Sequence, residues 1–420
     1  MISSIKGMKD ILPAETESWQ FIENTIHNIC QQFHFKEIRT PLLEQTSLFK
    51  RSIGEETDIV SKEMYTFFDR SNDSITLKPE ATASIVRSFI QNHIGEDQPS
   101  TKLYQISAMF RQERPQAGRL RQFHQYDAEI FGSTEPSADA EIILLNSAIF
   151  KNLGLTNFKL ILNSVGCENC RPNYRDAILK NLTSLKNKLT PQSRERLEKN
   201  PLRVLDSKEA EDIEATKNLP LIFEFLCDSC KTHFDELQNI LKSVNLNFTI
   251  NNRLVRGLDY YTKTAFEFIS ENLGSQDALS GGGRYDLLVS QLGGKKTPAV
   301  GFAGGIERLL MAIKKENQNL INNKTLKLFI ASADTSSKNI VFQNANNLRN
   351  AGISTDFDLL NRSLKSQMRE ADRQNAEYLI VIGEKEISEE KVLIKNMQTR
   401  TSSLINLPIN IEEINLIINK

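Results

Sequence analysis

Residues 103–132, LYQISAMFRQERPQAGRLRQFHQYDAEIFG, decide the fold. They read as two antiparallel strands joined by a long arginine-rich loop. Side chains alternate across a strand, so Tyr104, Ile106, Ala108 and Phe110 share one face, and Gln105, Ser107, Met109 and Arg111 the other. In the second strand Phe123, Gln125, Asp127, Glu129 and Phe131 share a face, and His124, Tyr126, Ala128 and Ile130 point opposite. With both apolar faces packed on a core, Arg111, Gln125 and Glu129 converge on one polar surface. The loop adds Glu113, Arg114, Arg119 and Arg121. Arginines beside a glycine and a proline suit an anion with several oxygens, because guanidinium forks bind phosphate in two-pronged geometry. Arginines alone also fit a solvated hairpin tip. Carboxylates on a sheet face below a cationic loop outline more than that: a site for a zwitterion plus a phosphate.

The chain has 420 residues, 39% hydrophobic and 25% charged, which fits an ordinary globular protein, with two or three domains favoured over one. Its formal net charge is -1, so a nucleic-acid partner must be met by local patches rather than by a global basic field. No apolar run has the length of a membrane span, and MISSIKGMKDILP lacks the apolar stretch of a secretory signal. A cytoplasmic protein is expected. In that setting the five cysteines are reduced thiols or metal ligands rather than disulfides.

Outward from the hairpin, residues 17–32 have the spacing of an amphipathic helix, with Trp19, Ile22, Ile26, Ile29 and Phe33 on one side. FHFKEIRTPLLEQ (33–45) is an extended segment broken at Pro41, hence an edge strand or a strand end. ITLKPEATASIVRSF (75–89) reads as strand, turn and helix, with Glu80 placed to favour the positive helix end. Residues 134–154 predict a helix with Ile142, Leu145 and Ile149 inward. Cys167-x-x-Cys170 and Cys227-x-x-Cys230 flank a polar helical region. Two such pairs are zinc-like in type, yet their separation exceeds the usual knuckle spacing. A structural Zn²⁺ site and small core thiols both remain open. LVRGLDYYTKTAFEF (254–268) ends in a strand. Ser280-Gly281-Gly282-Gly283-Arg284-Tyr285 is either a flexible loop or a place where chain and ligand approach closely. AVGFAGGIERLLMAI (299–313) reads as strand, glycine turn and helix, with Arg308 outside the apolar stripe. The polar stretch near 317–325 is a linker. Beyond it, 326–420 alternates strands with two helices, near 336–350 and 361–375, a small α/β domain with a mostly buried sheet. Arg362, Lys365, Arg369 and Arg373 fall on one side of the second helix, as a solvated stripe or an RNA contact. No GxxxxGK[ST] or GxGxxG is present, so P-loop and Rossmann sites have no support.

FRQERPQAGRLRQFHQ closely resembles motif 2 of class II aminoacyl-tRNA synthetases in its histidyl form. The resemblance runs from Lys6 to the C-terminus in family order. Residues 33–45 resemble motif 1, the family's dimer interface, and Gly-x-Glu-Arg-Leu around Arg308 resembles the end of motif 3. RGLDYY and SGGGRY resemble the two histidine-specific peptides, which argues against prolyl or threonyl enzymes. His93-Ile94-Gly95-Glu96 half-matches the signature of the unrelated class I enzymes, and only by chance. The resemblance implies an α+β fold: a catalytic domain, 1–325, with an antiparallel sheet flanked by helices and a helical insertion at about 170–245, then an α/β anticodon-binding domain, 326–420. It implies a homodimer that joins L-histidine to its tRNA through histidyl-adenylate, with ATP and Mg²⁺. In that family Arg111 and Arg256 would hold the α-phosphate, and Arg119, Arg121 and Arg308 the outer phosphates. Glu113 would join the ATP site and Phe123 would stack on adenine. Glu80, Thr82, Gln125 and Glu129 would orient histidine, with Tyr260 and Tyr261 beside the imidazole. A non-catalytic paralogue regulating histidine biosynthesis is the alternative. Such paralogues typically lose the arginine peptide and the C-terminal domain, and both are present here.

Overall fold

The computed structural model describes residues 2–54, 57–116, 118–255, 258, 260–316 and 326–418. The stretch expected to be a linker, 317–325, lies outside them, as does Arg256. The chain divides into two compact units, Met1–Ile321 and Asn322–Lys420.

The hairpin forms with the expected faces. Strands Thr101–Phe110 and Gln122–Phe131 pair antiparallel, with Leu103 opposite Glu129, Gln105 opposite Asp127, Ser107 opposite Gln125 and Met109 opposite Phe123. Tyr104, Tyr126, Ala128 and Ile130 on the other face sink into the main core. Because the strand period is two, this register alone sends Gln125, Asp127 and Glu129 to a common side.

Eight strands make the large sheet: Lys36–Glu37, Thr101–Phe110, Gln122–Phe131, Ala299–Gly305, Ala278–Arg284, Thr262–Ile269, Lys159–Ser164 and Phe248–Ile250, in that spatial order. The six central strands are antiparallel, as expected. Both edge pairings are parallel, so the sheet as a whole is mixed. A parallel edge needs a crossover, and the chain between Ser164 and Phe248 supplies one in the form of the helical insertion. The extended segment 33–45 breaks at Pro41 and its halves part: Lys36–Glu37 joins the large sheet, while Leu43–Gln45 enters a three-stranded antiparallel sheet with Ser74–Leu77 and Tyr65–Phe68. Ser280–Tyr285 is no loop. Its glycines lie in the buried central strand Ala278–Arg284.

One face of the sheet is covered by helices whose apolar stripes the sequence announces. Pro13–Gln32 opens on a proline, which lacks only an N–H the first turn does not use, and buries Trp19, Ile22, Ile26 and Ile29. Pro136–Asn152 buries Ile142, Leu145 and Ile149, and Ile306–Glu316 buries Leu309 and Ile313 in the same core. The fully buried Arg284 ties this layer together. Its guanidinium pairs with Asp139 and with Asp286, and Asp139 also meets His233 at 3.2 Å.

The insertion is helical, with Arg171–Leu185, Pro191–Lys199, Ala210–Thr216 and Asp228–Ser243. Tyr174, Ile178, Leu182, Val204 and Ile222 form its own core. The last helix serves two cores: Cys230 packs in the insertion, whereas Phe234, Leu237 and Leu241 pack in the main core.

The second unit has five strands in the order Thr355–Phe357, Leu328–Ser332, Tyr378–Ile382, Lys391–Asn396, Ser402–Asn406. The first three are parallel and the last two pair antiparallel, with helices Lys338–Asn350 and Leu364–Arg373 near their expected places. Strand Ser402–Asn406 and helix Ile411–Ile418 were not foreseen. Among the described residues no helix is long and apolar enough to cross a membrane.

Candidate active site

Three antiparallel strands and one helix start build the acidic side. After strand Ser74–Leu77 the chain turns through Lys78-Pro79 into helix Thr82–Gln91. Glu80 accepts hydrogen bonds from the Thr82 and Ala83 N–H groups, both at 2.9 Å, so its carboxylate satisfies the helix end as its position foretold. Burial nonetheless pushes its carboxyl above the usual range. Thr82 donates its hydroxyl to Glu129 at 2.8 Å, and Tyr285 donates to the other oxygen at 2.5 Å. Glu129 is wholly buried, and this lifts its carboxyl to about 8 against the pull of those two hydroxyls. Gly301 is its neighbour on the next strand, and a Cβ there would collide with the carboxylate, so only glycine fits. Asp127 is also buried. Neither of its oxygens has a hydrogen-bond partner among the described residues, nor has Oε1 of Gln125. Burial, then the charges of Glu129 and Glu80, hold the Asp127 carboxyl well above its ordinary value, partly offset by the buried Lys78 ammonium. Unpaired buried acceptors are rare in native proteins and mark a place for a donor.

The basic side comes from the hairpin loop and the helix after strand Ala299–Gly305. Glu113 organises it, with Arg119 Nε at 2.8 Å and Arg111 at 3.8 Å. Arg111 Nε donates to the Pro79 carbonyl at 2.8 Å, and its guanidinium lies 5.3 Å from the Phe123 ring centre. Arg308 donates to the Ala278 carbonyl at 2.7 Å, and burial followed by the nearby Arg119 charge depresses its pKa.

Both sides face one cavity of about 240 Å³. Glu80, Thr82, Gln125, Tyr260, Tyr261, Arg111, Glu113, Arg119, Phe123 and Arg308 all line it. Two expected residues do not. Glu129 sits one layer below: it points to the same side as Gln125, but the Thr82 and Tyr285 hydroxyls pack over its carboxylate and close it off from the cavity. Arg121 instead fastens the loop to the N-terminal segment: its Nε donates to the Glu113 carbonyl, its guanidinium to the Lys6 carbonyl, and its N–H to the Gly7 carbonyl. Sequence reading gave no role to Tyr285, Lys78 or Glu267. Tyr285 closed a quoted peptide and could have been singled out as the one aromatic hydroxyl in it. Lys78 looked like a turn residue and is a buried cation, and Glu267 is one of many strand carboxylates.

Residues 7–309 match the family model for histidyl-tRNA synthetase, and 327–415 match that of an anticodon binding domain. The chain belongs to the histidyl-tRNA synthetase family. It is 47% identical over 413 residues to a histidine--tRNA ligase of Halothermothrix orenii, covering 98% of each chain. A histidine--tRNA ligase of Chloroherpeton thalassium is 49% identical over 400 residues, 94% of this chain and 93% of its own. The crystal structure of apo histidyl-tRNA synthetase from S. aureus covers all of both chains with a TM-score of 0.84 at 36% identity.

Two further sets of expected residues lie outside the cavity of this family member. Cys167, Cys170, Cys227 and Cys230 meet, with all four sulfurs within 4.8 Å of one another. Neighbouring sulfurs are 3.6, 3.9 and 3.8 Å apart, and none is in a disulfide. Long chain separation proved no obstacle, because the insertion folds back on itself and delivers both turns to one point. On helix Leu364–Arg373, Lys365, Arg369 and Arg373 are exposed along one side. Arg362 does not extend that stripe. It precedes the helix, and Asp358 at 2.5 Å and Glu370 at 3.1 Å neutralise it. Arg373 is likewise paired with Glu370, at 2.6 Å.

Proposed function

We propose that this chain activates L-histidine with ATP and transfers it to its tRNA. The observation that carries the reading is one cavity walled by Arg111, Arg119 and Arg308 on one side and by Glu80, Thr82 and the unmet Oε1 of Gln125 on the other, with Asp127 and Glu129 on the same strand face behind it. Full-length relatives at 44–49% identity, all named histidine--tRNA ligase, support it and do not favour the regulatory-paralogue alternative.

The histidine ammonium fits the side of Thr82, Gln125 and the carboxylates, where a cation repairs unmet acceptors. Tyr260 and Tyr261 flank the imidazole. A site that hydrogen-bonds a ring nitrogen rejects amino acids without one by large factors. The substrate carboxylate attacks the α-phosphorus and pyrophosphate leaves, so no strong base is required. The protein aligns the reactants and offsets charge on the phosphoryl oxygens. Arg111 serves the α-phosphate and stands over Phe123, which stacks on adenine. Arg119 and Arg308 take the outer phosphates, with Glu113 holding the Arg119 guanidinium and the Ala278 carbonyl that of Arg308. Arg256 joins Arg111 by resemblance alone, and Arg121 shapes the loop. Glu113 and Glu267, which both line the cavity, are the oxygen donors that would hold Mg²⁺, and the ion would offset phosphate charge there. The four-cysteine cluster fits a structural Zn²⁺.

Residues 1–325 carry the chemistry in this reading, and 326–420 bind the anticodon with Lys365, Arg369 and Arg373 toward RNA. A homodimer is supported by the family's motif 1 and by exposed Leu42, Leu43, Phe67 and Phe68 on and beside the small sheet, and a cytoplasmic location follows from the reading as a tRNA ligase. Histidine-dependent ATP–pyrophosphate exchange on the purified protein, followed by charging of its tRNA, is the test. Exchange with another amino acid, or none, refutes the reading.

A further inference from the structure

The cysteine cluster reaches the histidine side of the cavity through one side chain. Arg171 follows Cys170 directly and opens helix Arg171–Leu185. Its guanidinium donates to the main-chain carbonyl of Tyr261. Tyr261 and Leu258 line the active-site cavity, and they also line a second cavity of about 430 Å³ shared with Arg171 and Tyr174 of the insertion. The segment that carries both tyrosines is thus a partition with space on two sides. Tyr260 and Tyr261 pack in a buried cluster with Ala81, Met109 and Tyr285, and the Arg171 hydrogen bond adds a polar anchor on the side of the second cavity.

The Arg171 anchor is as firm as the turn it grows from. Gly166 enters that turn at φ +67°, and a Cβ there would stand 2.9 Å from the Cβ of Cys170. The Cys170 and Arg171 N–H groups both donate to the Cys167 carbonyl, at 3.1 and 3.0 Å, and Cys227 N–H donates to Cys170 Sγ at 3.1 Å. Sulfurs about 2.3 Å from a tetrahedral ion stand about 3.8 Å from one another. Three of the six separations, 3.6–3.9 Å, match the edge of that tetrahedron, the others lie within 4.8 Å, and all three are far from the ~2.05 Å of a disulfide.

We propose that the four cysteines bind one Zn²⁺ as thiolates, and that this ion sets histidine affinity by holding Arg171 on the Tyr261 carbonyl. Each sulfur that enters as a thiolate gives its proton to solvent. Arg171 is a positioning residue that acts through Tyr261, and the proposal rests on reading this cavity as the histidine site.

The test uses the full chain, purified without chelators. Elemental analysis gives the zinc content, and pyrophosphate exchange gives separate KM values for histidine and ATP. About one zinc per chain is expected. Arg171→Met keeps the zinc and raises the histidine KM about tenfold, the loss of one charge-assisted hydrogen bond, with the ATP KM within about twofold. Arg171→Lys recovers part of that loss. Stripping zinc from the wild type produces the same histidine-selective change, added Zn²⁺ reverses it, and stripping Arg171→Met adds little. Zinc-free protein with a normal histidine KM overturns the metal assignment. Zinc-replete Arg171→Met with unchanged histidine KM, or with equal losses for both substrates, overturns the positioning role and leaves a staple for the insertion. If zinc-replete wild type shows no histidine-dependent exchange, the functional reading fails and takes the proposal with it. The zinc content then distinguishes that failure from loss of the metal.

Discussion

Glu129 converts the buried acidic layer into a measurable pH dependence. Its carboxyl is held at about 8 by burial, against about 4.3 for a free Glu side chain. Between those values the folded protein keeps a proton that the unfolded chain has released. The group therefore contributes stability that is complete below about pH 4 and is lost as pH rises through about 8. A ligand ammonium set above Thr82 is attracted by the ionised form. If binding requires that form, apparent affinity is reduced about 100-fold at pH 6, about 11-fold at pH 7 and about twofold at pH 8, relative to the fully ionised site. The change from pH 6 to pH 8 is then about 50-fold. Histidine's own imidazole titrates in the same window. Glu129→Gln is the proper comparison, because it keeps the substrate's titration, the size of the side chain and one acceptor. Calorimetric Kd values for histidine at pH 6, 7 and 8 should fall far more steeply for the wild type than for the variant, and ATP affinity should show no such difference. Parallel profiles would refute the reasoning and shift the ammonium's partner to another group, with Asp127 the first candidate.

Arg111→Ala should cut exchange by about 10²–10³ with histidine Kd nearly unchanged, because one preorganised donor to developing phosphoryl charge is lost. A near-normal turnover number removes Arg111 from the α-phosphate. Lys365→Glu with Arg369→Glu should leave exchange intact, weaken tRNA binding and flatten its salt dependence by roughly 0.7–0.9 in log–log slope for each lost contact. An unchanged slope makes that helix side a solvated face. Arg284→Met should cost about 3–5 kcal/mol of stability by leaving Asp139 buried without its cation, as denaturant unfolding would show. A cost below about 1 kcal/mol would mean that Asp139 takes up a proton and dispenses with the arginine.

Much of this was legible in the sequence because periodicity reports burial. Alternation along 103–110 and 123–131 gave the hairpin, its register side and the convergence of Arg111 with Gln125. Trp19, Ile22, Ile26 and Ile29 gave a helix by the same logic at a different period. Depth was not legible. Nothing in alternation distinguishes Gln125 on the cavity wall from Glu129 behind it, since both point the same way and only the packing of Thr82 and Tyr285 separates them. Charge partners were hidden too. Arg362 looked like part of a basic stripe until Asp358 and Glu370 were found against it, and Arg121 looked like a phosphate ligand until its bonds to the Lys6 and Glu113 carbonyls appeared. Glycine-rich Ser280–Arg284 was ambiguous in sequence because glycine serves loops and tight strand packing alike.

The helix Asp228–Ser243, divided between two cores, makes the insertion modular. His233 binds Asp139 and Leu237 and Leu241 lock into the main core, so the returning end of the insertion is fixed however long the excursion before it. At the outgoing end, Arg171 and the cysteine turn do the same work. Between these clamps, Tyr174 to Ile222 close on a core of their own, with Asp212 drawing together Thr190, Ser193 and Ser207. The middle stretch also touches the rest of its unit, through Arg253 on Thr216 and the Leu205 carbonyl and through Lys208 on Asp277, so an engineered version that changes its length should keep these contacts as well as both clamps. In this fold, tolerance to change is set first by where the chain leaves and rejoins the sheet, and then by the few points at which it touches the sheet's own loops in between.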